Sequence, residues 1–313
     1  GYEEEMGMKI KSAAIIGLGA VGGFFAPAFA KVLGEENFCV IAQGERKERL
    51  EKGLTVNGEF CKFSIVTPKE AKPVDLVIMA VKESGFAQAV EEIRNLVGEN
   101  TQILCVMNGV GHEEVLEKTF GKSHVMYSYM KITASKNGNT ITYDPGCSFR
   151  FGEKKNTVLS ERVRAVKDLM EECSLPYCIE EDMELGIWRK FMLNVGTNLP
   201  CALLGLPYGP CCKSEHAVKI QRALMREVVA IAQAKGIALD EQAAEAQLKM
   251  SKGFPAQSKP STLQDLEHKR KTEIEMFAGE VVKMGESLGI STPFCWMIQE
   301  AIQTLEEKNA GVI

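Results

Sequence analysis

The stretch Gly17-Leu18-Gly19-Ala20-Val21-Gly22 constrains this chain more than any other, because three glycines at that spacing suit very few settings. Lys9 to Ile16 before it is a short β-rich run, and Gly23 to Leu33 after it carries helix-compatible apolar residues. In the order strand, glycine turn, helix, the glycines permit a tight reversal, close approach of backbone to a pyrophosphate, and strand–helix packing. The free N–H groups of the helix start then face the anion. A second strand at Phe38 to Ala42 and a charged helical patch from Glu45 to Lys52 complete a βαβ unit. Gly17, Leu18, Gly19, Ala20, Val21 and Gly22 are therefore expected to bind a dinucleotide, the alternative being a glycine-rich structural turn.

Leu76 to Val81 and Gln102 to Met107 are uninterrupted apolar runs of strand length, separated by the helical pattern of Glu83 to Leu96. Such runs suit parallel strands buried on both faces, and hence a doubly wound sheet. From His124 to Phe151 the pattern changes to strands joined by polar turns at Lys136-Asn137-Gly138-Asn139 and Asp144-Pro145-Gly146, which predicts an antiparallel extension of that sheet. A helix (Leu159 to Cys173) and a strand (Pro176 to Ile179) follow, after which strand signals stop. Helical spacing runs through Asp182 to Leu199, Glu215 to Ala234, Asp240 to Met250, Thr272 to Leu288 and Pro293 to Lys308. The expected fold is an α/β N-terminal Rossmann-type doubly wound sheet over residues 8–180 plus an all-α C-terminal domain over residues 181–313, and 313 residues suffice for two cores.

A net charge of -5 without a dominant basic block argues against nucleic acid as a partner and for a small molecule. No apolar run approaches the ~20 residues that span a bilayer, and Gly1 to Met8 is acidic where a secretory signal is basic and then apolar. The expectation is a cytoplasmic protein without a membrane partner. Gly1 to Gly7, with Met6 and Met8 as candidate natural starts, reads as an added or frayed end. Ten cysteines lie scattered, several inside apolar runs, without the spacing of a zinc site, and read as reduced thiols. The adjacent Cys211 and Cys212 read as small core residues at a loop, against a redox or metal role.

NAD sites usually place an acid at the end of the second strand for the ribose 2′-OH, and NADP sites a cation. That end reads Ile41-Ala42-Gln43 here, and Arg46, Lys47 and Arg49 follow. The absence of an acid and the nearby cations favour NADP over NAD, with a solvated basic helix face as the alternative. Lys82 and Asn108 close two strand runs on the carboxyl side, where open α/β sheets bind ligands, the alternative for each taken singly being a plain polar strand terminus. Lys190, Asn194 and Asn198 stand at i, i+4 and i+8, on one face of a regular helix; on an outer surface such a stripe would be merely solvated, and between two domains it would supply a proton donor and two amides to a small polar substrate. Thr272-x-x-Glu275 matches a capping box, which predicts a helix start with Glu273 in its first turn. On one continuous helix Ser261 and Glu273 would lie ~18 Å apart, so the charged His268 to Lys271 stretch is read as part of a bend.

With these residues in view the chain resembles the ketopantoate reductases (2-dehydropantoate 2-reductases). The likeness runs through GLGAVGG from Gly17, Val81-Lys82, NGVG at 108–111, WRKFMLN at 188–194 with Asn198, STLQD at 261–265, TEIE at 272–275 and GISTP at 289–293, over almost the whole chain. The resemblance implies NADPH-dependent reduction of 2-dehydropantoate to pantoate, in pantothenate and coenzyme A biosynthesis. It assigns proton donation to the ketone oxygen to Lys190, and orientation of substrate and lysine to Glu273. Asn108, Asn194, Asn198 and Ser261 match substrate-holding residues, and Lys82 and Asn108 match cofactor-side groups. One departure stands out: the family usually carries Arg where this chain has Gln43, so NAD stays open beside NADP. A paralogue reducing another 2-oxo acid is the nearest alternative, decided by residues from Leu199 to Tyr208 and Met250 to Pro260. A non-catalytic nucleotide sensor is the alternative of a different class. The long C-terminal helices make a homodimer a candidate assembly, though their apolar stripes are equally explained by an internal core.

Overall fold

A computed structural model describes residues 7–144, 146 and 148–313. The reading of residues 1–6 as an added end, and Pro145 of the Asp144-Pro145-Gly146 turn, lie outside the described residues. The chain divides into two compact units, Gly1–Glu184 and Leu185–Ile313.

The strands of the first unit are β1 (Ala13–Ile16), β2 (Phe38–Ile41), β3 (Leu54–Val56), β4 (Glu59–Cys61), β5 (Ile65–Val66), β6 (Val74–Met79), β7 (Val97–Cys105), β8 (Val125–Lys131), β9 (Ala134–Asn137), β10 (Thr140–Tyr143), β11 (Ser148–Gly152) and β12 (Tyr177–Cys178). Its helices are α1 (Gly22–Leu33), α2 (Gly44–Glu51), α3 (Phe86–Glu92), α4 (His112–Phe120) and α5 (Glu161–Glu172). The main sheet has the order β12-β11-β8-β7-β6-β1-β2-β5. From β5 to β8 every pairing is parallel, while β11 runs antiparallel to β8.

Side chains that alternate along β1 explain why helices cover both faces. Ala13 and Ile15 enter one core with Phe24, Phe25 and Phe29 of α1 and Val166 and Leu169 of α5. Ala14 and Ile16 enter the other with Phe86 and Val90 of α3 and Leu116 of α4. The strand period of two therefore feeds two helical layers, the doubly wound arrangement. Between β1 and β6 the strand order reverses direction, which opens a crevice at the carboxyl ends of the strands.

The expected antiparallel extension is only partly realised. β11 and β12 extend the main sheet, but the β9–β10 hairpin joins β3 and β4 in a separate four-stranded sheet, with β10 parallel to β3. Ile141, Leu54 and Val56 of that small sheet are buried with α1, and this apolar burial holds the hairpin there.

α6 (Met183–Leu193), all but its first two residues in the second unit, leads into α7 (Leu199–Leu204), α8 (Tyr208–Lys213), α9 (Glu215–Ala234), α10 (Glu241–Ser251), α11 (Ser261–Glu267), α12 (Glu280–Leu288) and α13 (Pro293–Asn309). The long α9 is the hub, packed against α7, α8, α10, α12 and α13. Ser214 and Asp240 cap α9 and α10 by accepting from Ala217 N–H and Ala243 N–H. The α13 start is capped from another helix: the buried Glu227 carboxylate accepts from Phe294 N–H at 3.0 Å and Cys295 N–H at 2.8 Å.

Two expectations about these helices need correction. The Asp182 to Leu199 helix is interrupted by a π-helical turn at Asn194–Asn198. Thr272 does not open a helix; a π-helical turn at Glu275–Gly279 comes first, so Glu273 stands ahead of it rather than in a first helical turn. The Thr272 hydroxyl accepts from Ile274 N–H at 3.2 Å and donates to Glu306 at 2.8 Å, which replaces the capping box. The predicted bend is present, with α11 ending at Glu267 and Lys269 at a φ of 56°. Among the described residues, no helix is long and apolar enough to cross a membrane.

Candidate active site

The glycine turn follows β1 directly. Gly17 has a φ of 92°, and a Cβ there would lie 2.5 Å from the Ala80 carbonyl carbon, so only glycine lets β1 and β6 release their chains side by side. A Cβ on Gly22 would meet the Gly17 carbonyl oxygen at 2.5 Å. Gly19 differs: a Cβ there would meet nothing within 4 Å. The protein's own packing does not require glycine at 19, and the open space beside its backbone is what a pyrophosphate needs. Behind it, α1 begins at Gly22 with no side-chain cap and no acid in its first turn; Gly23 N–H and Phe24 N–H are bonded to the Gly19 and Val21 carbonyls, and the positive dipole end of the helix is left to an anion. These residues fit a dinucleotide.

Lys82 follows β6, the neighbour of β1, and Asn108 follows β7, the next strand along, so both stand on the same sheet edge as Gly17. Lys82 is exposed and Asn108 half-buried. Their loops are tied together by His112 Nε2 and Glu83 Oε2 at 2.6 Å. Burial alone would lower the buried His112, but the Glu83 bond and the neighbouring Glu113 and Glu114 carboxylates outweigh it and leave the imidazole above its ordinary value. Gln43 precedes α2 and donates Nε2–H to Glu92 Oε1 at 3.3 Å; Arg46 is exposed on α2.

Within the second unit, the turn carrying Asn194 and Asn198 packs against α11, which starts at Ser261, and against the turn that follows Glu273. Lys190 is half-buried in the last turn of α6, Glu273 is half-buried, and Ser261 is exposed. Tyr208 donates its hydroxyl to Asn198 Oδ1 at 2.7 Å, and Asn198 Nδ2–H donates to Asn194 Oδ1 at 3.0 Å. Asn194 Nδ2 ends this relay, buried and without a hydrogen-bond partner. A buried amide donor left unpaired costs about 1–3 kcal/mol, a cost that an incoming carbonyl or carboxylate oxygen removes. π-Helical turns inside helices often mark functional sites.

Tyr208 was not among the predicted site residues, although it closes the Leu199 to Tyr208 stretch expected to decide the substrate. Its ring meets Phe254, from the other such stretch, edge-on with centroids 4.9 Å apart. Cys211 lies in a small apolar cluster with Cys201 and Ala217, and its carbonyl accepts from Gln221 at 3.1 Å; Cys212 is buried beside it. Among the described residues, no group of His, Cys, Asp and Glu is arranged to hold a metal ion.

Residues 13–156 match the family described as ketopantoate reductase PanE/ApbA, and residues 182–306 match its C-terminal part. The 2-dehydropantoate 2-reductase of Streptococcus pyogenes serotype M3 is 31% identical over 301 residues, covering 93% of this chain and 97% of that protein. Two solved structures share the fold. A D-mandelate dehydrogenase with NADH and anilino(oxo)acetate superposes with a TM-score of 0.83 at 23% identity, over 96% of this chain and 99% of that one. A dimeric ketopantoate reductase from Staphylococcus aureus does so with a TM-score of 0.79 at 21% identity, over 95% and 99%. The chain belongs to the ketopantoate reductase family of NAD(P)-dependent oxidoreductases acting on CH–OH groups.

Proposed function

We propose that this enzyme reduces 2-dehydropantoate to pantoate with NADPH in the cytoplasm, supplying pantothenate synthesis. The observation that carries the substrate side is the unpartnered Asn194 Nδ2 at the end of the Tyr208–Asn198–Asn194 relay. A 2-oxo acid offers carboxylate and ketone oxygens that satisfy such a donor, and the relay holds the amide in one orientation before the ligand arrives.

A nicotinamide dinucleotide held at Gly17 to Gly22 would supply a hydride to the ketone carbon. Negative charge then develops on the ketone oxygen, and the Lys190 ammonium relieves it by charge and by donating its proton, leaving a neutral amine that regains a proton from solvent. Glu273 favours the charged lysine and orients substrate and lysine. Asn108, Asn194, Asn198 and Ser261 hold the substrate's hydroxyl and carboxylate. On the cofactor side Gly17 to Gly22 hold the pyrophosphate, Lys82 and Asn108 hold the nicotinamide half, and Gln43 and Arg46 face the adenosine ribose.

Reduction of another 2-oxo acid is the competing reading, favoured by the Tyr208–Phe254 ring pair beside Asn198, which offers an apolar wall to a larger side chain. Steady-state oxidation of NADPH and of NADH with 2-dehydropantoate and a panel of branched and aromatic 2-oxo acids decides between them. The highest kcat/KM is expected for NADPH with 2-dehydropantoate; a higher value for an aromatic acid makes the competing reading the right one, and cofactor binding without turnover of any acid removes both. A homodimer is the proposed assembly, and sedimentation equilibrium tests it.

A further inference from the structure

Lys136 is a cation placed against the glycine turn by a strand far away in sequence. It sits in β9, directly across the ladder from Ile141 of β10. Cross-strand partners project to the same face of a sheet. Ile141 is fully buried, and it packs so closely on α1 that a Cβ at Gly23 would lie 2.8 Å from its Cγ2. The hairpin is thus pinned to the first turn of the helix that follows the glycine motif. From that anchor, Lys136 Nζ reaches the carbonyl oxygen of Leu18, inside the motif, at 3.3 Å.

The surroundings of this ammonium are cationic. Its pKa is lowered by partial desolvation and by Arg46 and Arg49 on α2, the positions downstream of Gln43, and those two arginines are the charged groups acting on it. Arg46, Arg49 and Lys136 all remain open to solvent. Three like charges gathered beside a phosphate-binding turn repel one another, and a polyanion bound among them removes that repulsion. The second strand ends in neutral Gln43, whose amide is engaged with the Glu92 carboxylate. The strand end therefore offers no cation of its own.

We propose that Lys136, delivered by the β9–β10 hairpin, binds the 2′-phosphate of the cofactor together with Arg46 and Arg49, and so gives the enzyme its preference for NADPH over NADH. This rests on the dinucleotide reading of the glycine turn and adds a specificity-determining residue to it. The phosphate sits on the adenosine ribose, remote from the reacting carbon, so Lys136 acts on affinity for one nucleotide and leaves the hydride and proton transfers to other groups.

The test is equilibrium binding by titration calorimetry to wild type, Lys136→Met and Lys136→Arg, with NADPH, NADH, adenosine 2′,5′-bisphosphate and 5′-AMP as probes. Wild type is expected to bind NADPH and the bisphosphate more tightly than NADH and 5′-AMP. Lys136→Met is expected to weaken NADPH and the bisphosphate about tenfold to a hundredfold, the span of a charge-assisted hydrogen bond, with NADH and 5′-AMP changed less than about twofold, and Lys136→Arg to restore most of the loss. An equal loss for all four probes, or no loss for any, overturns the proposal while leaving the dinucleotide site standing. Failure of wild type to bind either dinucleotide instead overturns the reading beneath it. Lys136 is exposed, and coincident thermal unfolding curves for the three proteins establish that each titration reports on folded protein.

Discussion

Tyr208 and Asn198 are joined by a 2.7 Å hydrogen bond in which the phenol donates to the amide oxygen, and this bond sets the direction of every donor that follows. With Oδ1 of Asn198 occupied, its Nδ2 must point to Asn194, and the free Nδ2 of Asn194 is left for a ligand. Burial raises the Tyr208 hydroxyl well above its ordinary value, so it stays protonated as a donor throughout the neutral range.

Tyr208→Phe keeps the ring and its contact with Phe254 but removes the donor. The amides lose their fixed orientation, so KM for the 2-oxo acid is expected to rise about threefold to tenfold, the worth of one neutral hydrogen bond, with the dissociation constant for NADPH unchanged. Initial-rate kinetics at saturating cofactor measure the first, and fluorescence titration the second. An unchanged KM removes the relay from substrate binding.

Much of this was readable from local pattern. The short β-rich run of β1, the glycines after it and the apolar runs of β6 and β7 are short-range signals, and they place the turn, Lys82 and Asn108 on one sheet edge. What escaped depends on distant pairing. The β9–β10 hairpin looks like any polar-turned hairpin; its pairing with β3, in the register Thr140 with Thr55, is fixed by burial beside α1 that no local window contains. Lys136 and Leu18 are 118 positions apart, which is why the lysine read as a turn residue.

The π turn at Asn194–Asn198 escaped for another reason. A spacing of four between amides satisfies an α-helix and a wider turn alike, and the choice depends on packing: a Cβ at Gly196 would stand 2.3 Å from Met225 Cγ of α9. Tyr208 reaches back to Asn198 only because Gly205, at a φ of 66°, reverses the chain after α7. Neither relation has a signature in residue spacing.

Lys190→Ala is expected to lower kcat by about a hundredfold to ten-thousandfold, the range of a positioned general acid, while NADPH affinity is kept. In the wild type, kcat is expected to fall as pH rises past the operating pKa of the lysine, because only the ammonium form carries the proton. A pH–rate profile for both proteins checks this. A variant with undiminished kcat, or one that keeps the alkaline limb, takes the proton away from Lys190.

The two outer faces of the glycine turn predict opposite phenotypes. A Cβ at Gly19 meets no protein atom, so Gly19→Val is expected to fold with a near-native melting temperature and yet lose dinucleotide binding, its branched side chain filling the space of the pyrophosphate. Gly17→Ala drives a Cβ into the Ala80 and Val81 backbone at a positive φ, so it is expected to lower the melting temperature itself. Calorimetric melts and nucleotide titrations on both variants check the contrast; normal NADPH binding by Gly19→Val speaks against the assigned turn.

Stability of the first unit is expected to depend on pH through Glu113, in the first turn of α4. Burial pushes its carboxyl up to about 7 from the ordinary 4.5, against a smaller lowering by His112. Between those values the folded protein keeps a proton that the unfolded chain has released, so stability falls as pH rises through that window and levels off above it, by at most about 3 kcal/mol. His112, also raised in the fold, acts in the same direction: its contribution is complete below 6.5 and is lost as pH rises through the higher folded value. Glu113→Gln removes the buried charge while keeping a similar shape. Its melting temperature is therefore expected to drop less than that of wild type between pH 5 and pH 8, with the gap opening mainly between about pH 5 and pH 7. Differential scanning calorimetry at several pH values checks it, and parallel curves for the two proteins would mean that the Glu113 carboxyl does not titrate across this window.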